Sequence, residues 1–178
     1  MQQKTLLEKY GELENDNAVI MSELSHLSDE AFHFKPNEHS WSSAQVLNHL
    51  IATETGTLQY IRKKMKYGGI PAVGFSSKVR TMAMKALLYS AIRFKIPQAL
   101  SQPTSEGSMD SINSNWLNLR KDWKEFLENF PTDHLSKGVF KHPIFGRLSI
   151  SQTIDSLIAH QAHHKKQLIR IRKGGFQK

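Results

Sequence analysis

One spacing constrains this chain more than any other: Met109, Ile112, Trp116, Leu119, Trp123, Phe126 and Phe130 follow one another in alternating steps of three and four. A helix turns once in about 3.6 residues, so this rhythm keeps all seven side chains on one stripe, whereas a strand would scatter them over both faces. The spacing predicts an amphipathic helix ended by Pro131, and such a helix must bury its stripe against partners. The same rhythm at Leu6, Tyr10, Leu13, Asn17, Ile20, Leu24 and Leu27 predicts a first helix over about residues 3–27.

Two further helices are marked by their ends. "SWSSAQVLNHLIATETGTLQYIRKKMKYGG" offers Ser42 or Ser43 as N-cap and basic residues before Gly68 and Gly69. A last helix opens near "LSISQTIDSL", with Ser149 as cap, and continues to Gly174 through a basic C-terminal half. Ser28, Asp29 and Glu30 suit a short turn, and "FKPNEHS" then interrupts the chain with proline. Four long helices predict an all-α protein, a four-helix bundle. Between the second and third, "SSKVRTMAMKALLYSAIRFK", about residues 76–96, has helical composition and is read as an additional helix inserted in the crossover. It could cover a pocket, form a partner interface or touch a membrane surface. The one extended piece expected is Val139–Lys141. A chain of 178 residues that is 39% hydrophobic can bury one core, so residues 1–178 are expected to form a single domain.

Composition narrows the chemistry. The chain contains no cysteine, which removes disulfides, thiolate metal sites and a cysteine nucleophile together. Any metal must therefore be held by histidine nitrogen and by carboxylate or water oxygen. No apolar run reaches membrane-spanning length and the N-terminus "MQQKTLLEKYGELEND" is charged, so a cytoplasmic, soluble protein is expected. The net charge is +8, and residues 62–95 hold nine basic side chains and no acidic one. Such a run is more often a solvated face than an anion-binding surface, and it lacks the interleaved aromatic residues of single-strand binders. Nucleic acid is accordingly disfavoured as a partner.

The stretch "IAHQAHHKKQL", residues 158–168, carries three histidines. Each helical residue advances about 100°, which places Ile150, Ile154, Leu157, Gln161 and Leu168 in a sector about 60° wide. By the same rule His164 lies about 40° from the middle of that sector, His160 about 80° and His163 about 140°. His160 and His164 thus share a face one turn apart and can offer two imidazoles to one ion. A third ligand must come from elsewhere, with His26, His33, His39, His49, His134 and His142 available. His49 alone lies well inside a predicted long helix, on the flank of the stripe made by Val46, Leu50, Thr57 and Ile61, beside Thr53 and Tyr60. Flanking histidines commonly make only local hydrogen bonds, and spacing by itself does not choose between the two roles.

"WSSAQVLNHLIATE" from Trp41, taken with "HPIFGRLSISQTIDSLIAHQAHHKKQLIRI" from His142, resembles the DinB-like (DinB/YfiT-like) superfamily of metalloenzymes. The likeness covers most of the chain in order and spacing, least clearly at residues 68–105. It implies a four-helix bundle with a divalent metal held by three histidines, and often a homodimer. Carried over position by position, the implied ligands are His49, His160 and His164. Gln167 matches a glutamine that supports them, and Trp41, Pro143 and Gly146 match structural positions. Zinc or nickel is the metal first expected, with manganese and iron also suited to three imidazoles. Relatives include bacillithiol S-transferases and a mycothiol-dependent maleylpyruvate isomerase, so the resemblance implies a metal-dependent transferase taking a low-molecular-weight thiol as cosubstrate. A metal-dependent hydrolase and a non-enzymatic metal-binding stress-associated protein are the other two readings. No catalytic base is assigned; Glu54 and Tyr60 are close enough in sequence to be tested.

Overall fold

The computed structural model of the chain describes residues 2–74, 79–83, 86 and 103–175. Its long helices are α1 (Gln2–Leu24), α3 (Ser43–Tyr67), α4 (Met109–Glu128) and α5 (Ile150–Gly175), with a short α2 (Asp29–His33) after the first. A 3-10 turn, Thr132–His134, and a hairpin of β1 (Phe140–His142) and β2 (Gly146–Leu148) complete the order. The protein is all-α, as the periodicity predicts, with one small sheet added. Of the inserted segment, residues 79–83 and 86 are helical. The remainder of the expected helix over 76–96 lies outside the described residues.

The helices begin where side chains can satisfy their free amides. Ser42 Oγ accepts from Gln45 N while Gln45 Oε1 accepts from Ser42 N, a reciprocal capping box that starts α3. Ser149 and Gln152 make the same exchange at the start of α5. The first helix stops at Leu24, short of the predicted residue 27, because Ser28 adopts an extended conformation to cap α2 and accepts from Ala31 N. Leu27 still packs against the core from the intervening turn.

Helices α4 and α5 each lie against both α1 and α3, so α1 and α3 are diagonal in the bundle. The stripes meet at its centre, where Leu13, Leu47, Ile61, Trp123, Leu127 and Ile154 are fully buried. Of the seven residues that announced the helix, six lie in α4 and Phe130 just beyond its end; Met109 and Phe126 are partly buried and the rest are in the core. Burying one such side chain contributes about 1.5–3 kcal/mol, which explains why the apolar spacing decides the fold.

The predicted extended piece is β1, shifted by one residue, and it pairs antiparallel with β2 through Phe140↔Leu148, Lys141↔Arg147 and His142↔Gly146. Gly146 has φ 72°, the left-handed conformation that closes a three-residue hairpin loop. Residues after α3 brace the segment just before the hairpin: Val73 N donates to Ser136 O and Gly138 N to Pro71 O. Among the described residues, no helix is long and apolar enough to cross a membrane.

Candidate metal centre

His49 stands in the second turn of α3, and His160 and His164 lie in successive turns of α5, the neighbouring helix. Burial of the α3 and α5 stripes turns the two helix flanks toward each other. His160 Nε2 lies 3.2 Å from His49 Nε2 and 3.2 Å from His164 Nε2. One nitrogen from each residue falls within 4.8 Å of the other two, a group that could hold a metal ion. Two imidazole nitrogens bound tetrahedrally at a zinc distance of 2.0–2.1 Å would stand about 3.3 Å apart, so the spacing suits a shared ion.

Proton placement supports the same fit. Gln167 Oε1 lies 2.8 Å from His164 Nδ1 and accepts its proton, which leaves a lone pair on His164 Nε2. His160 Nε2 has two imidazole neighbours and, in the neutral ring, at most one proton to give. Converging lone pairs call for a cation between them. The rings are also held neutral, as ligands must be. His164 is pushed down to about 3, by burial first and then by the charge of His49, against the opposing hydrogen bond to Gln167. His160 is lowered well below its ordinary value by burial, then by His164, His49, His163 and His142; His49 is lowered by burial alone.

Trp41 walls the cluster. Its ring is parallel to that of His164 at 6.1 Å and tilted over that of His49 at 5.0 Å. Trp41, matched to a structural position by the resemblance, packs against the core and lies beside two of the three rings. No helical rule gives the direction of a residue that precedes a cap, so its sequence position could not reveal this contact.

The other histidines are elsewhere. His163 is half-buried and meets His164 edge to face, outside the converging group. His26 and His39 are exposed, His33 bonds Asp29 O within α2, and His134 pairs with Asp133. His142 accepts from the backbone of its own hairpin loop. Glu54 is buried in an ion pair with Arg120 of α4, and Tyr60 rests against Phe140. Within the basic run Arg62 reaches Asp122 O and lies over the Phe126 ring. Lys78, Lys85, Arg93 and Lys95 lie outside the described residues.

Comparison with known sequences agrees with the geometry. The model of the DinB superfamily matches residues 12–168. A protein of Bacillus subtilis (strain 168), described as the uncharacterized protein YuaE, is 23% identical over 157 residues, covering 85% of this chain and 90% of that one. No solved structure gives a significant match.

Proposed function

The chain belongs to the DinB superfamily, and from that premise we propose that it is a metal-dependent enzyme in which His49, His160 and His164 hold one divalent ion, zinc or nickel first, for transfer of a small thiol onto an electrophile. The observation that carries this reading is the convergence of three imidazole nitrogens, with the His164 tautomer set by Gln167. An ion held by three neutral imidazoles would keep its double positive charge and an open position, and would lower the pKa of a thiol bound there. Because the chain has no cysteine, the sulfur must come from solution.

The protein's own groups supply orientation and exclusion. Gln167 fixes one ring by accepting its Nδ1 proton, a kind of support that typically contributes 10–100-fold to metal affinity. Trp41 closes one side of the cluster with an apolar face, which keeps water from that side. Burial keeps all three ligands unprotonated at neutral pH. The same reading takes the working form to be a cytoplasmic homodimer.

Metal-loaded protein incubated with an alkylating electrophile, with and without a low-molecular-weight thiol, tests the reaction by mass spectrometry. A thioether formed only when metal-loaded protein and thiol are both present is the expected result. A hydrolysed electrophile, formed equally without thiol, would contradict thiol transfer and favour hydrolysis. No turnover by a stoichiometrically loaded protein would reduce the site to metal binding.

A further inference from the structure

Two stretches of the chain lack any carboxylate side chain, and their described residues lie side by side. Residues 55–105 contain nine basic side chains and no acidic one; residues 134–154, which include the hairpin, contain Lys137, Lys141 and Arg147 and no acidic one. The backbone joins them: Ala72 bridges to Lys137, Val73 N donates to Ser136 O and Gly138 N to Pro71 O. Gly138 is enclosed so closely that a Cβ there would stand 3.1 Å from both Val73 Cγ1 and Arg147 Cβ. Asp133 lies at the margin, paired with Lys137 at 3.3 Å.

Around the hairpin loop three aliphatic side chains face solvent. Ile144, in the loop itself, is 70% exposed, and Val79 and Met82, three residues apart in the helical segment 79–83, are 52% and 72% exposed. Thr81 is buried between them and turns both outward. Arg80 ties the two pieces together: a Cβ on Gly146 would stand 3.8 Å from its Nε, so its side chain lies over the residue that closes the loop. Lys141 and Arg147 stand directly opposite one another across the hairpin, and like charges so placed repel and favour an external anion.

We propose that the hairpin loop and the adjoining helical segment form a surface that docks reversibly on an anionic phospholipid bilayer. Arg80 and Lys141, both exposed, meet the headgroups, while Val79, Met82 and Ile144 enter the boundary between headgroups and acyl chains. The aliphatic side chains decide between a bilayer and the other extended anion, nucleic acid. Burial in the acyl boundary stabilises them, whereas a phosphate backbone offers them no apolar partner. Positive charge and apolar contact are each weak alone, and reversible attachment needs both.

Sedimentation of the full chain with phospholipid vesicles tests the assignment. The protein should pellet with phosphatidylcholine vesicles that contain phosphatidylglycerol and stay in solution with phosphatidylcholine alone. The double variant Met82→Ser, Ile144→Ser should bind the anionic vesicles roughly tenfold more weakly, and Arg80→Gln and Lys141→Gln roughly fivefold more weakly each. All should melt as the wild type does, because the altered side chains are exposed. Lys124→Gln, exposed on α4 across the bundle from α5, should bind as the wild type does. Absence of the wild type from the anionic-vesicle pellet would overturn the proposal. So would undiminished binding by the Met82→Ser, Ile144→Ser protein, which would leave a bare charge effect such as a nucleic-acid surface gives. An equal loss in Lys124→Gln would overturn it too, making net charge the cause.

Discussion

His164 shows how one side chain can be tuned by packing and by a single acceptor. Burial holds it neutral to about pH 3, while an unfolded chain protonates it near 6.5. Between those values the unfolded state binds more protons, so stability falls as pH drops below about 6.5 and does not change on this account above it. His160 and His49 shift in the same direction and add to the effect. Urea unfolding of metal-free protein should accordingly show a lower midpoint at pH 5 than at pH 7.5, and replacing His164 with Gln should shrink the difference. At the same scale Gln167→Leu should weaken metal binding about 10–100-fold with little loss of fold, measured by competition with a chelator of known affinity. The helical angles derived from sequence separated His160 and His164 from His163, and the three rings stand in that relation. The hydrogen bond between Gln167 and His164 could be suspected from their i, i+3 spacing.

At the level of elements, helix starts were legible and some ends were not. Ser42 and Ser149 occupy the cap positions that the sequence offers, and each is reinforced by a glutamine three residues later. Ser42→Ala should cost about 1 kcal/mol of stability, read from chemical denaturation, since Gln45 N at a buried helix start loses its side-chain acceptor. The α1 terminus was displaced because the stripe continues to Leu27 while the backbone must already turn for the Ser28 cap. The strand β2 was missed because three residues, Gly146–Leu148, are too few to show alternation. Its cause is visible only in the fold: Gly146 takes a left-handed conformation and returns the chain along β1.

Across the whole molecule, a buried polar network ties together the helices that the apolar stripes bring near. With its amide turned to match its neighbours, Asn17 of α1 donates to Gln161 Oε1 of α5 at 2.7 Å and accepts from Trp116 Nε1 and Arg120 Nη1 of α4. Arg120 in turn pairs with Glu54 of α3. Sequence spacing placed Asn17 on the buried stripe but gave no partner, since these contacts join residues more than sixty positions apart. Removing one member of the ion pair leaves a buried charge, so Glu54→Leu and Arg120→Met should each destabilise by about 3–5 kcal/mol, whereas the double variant should recover most of that loss. Gln161 belongs to this network and adjoins His160 in sequence, so the core that fixes the register of α5 also fixes the direction of the clustered histidine rings. One metal site, on which these elements converge, is the proposal that the function rests on. Its most direct test is the metal content of purified protein after removal and readdition of zinc, by elemental analysis of the wild type and of His49→Ala, His160→Ala, His164→Ala and His163→Ala. One equivalent in the wild type and in His163→Ala, with loss in the other three variants, is the predicted result; retention of a full equivalent in His49→Ala, His160→Ala or His164→Ala would contradict it.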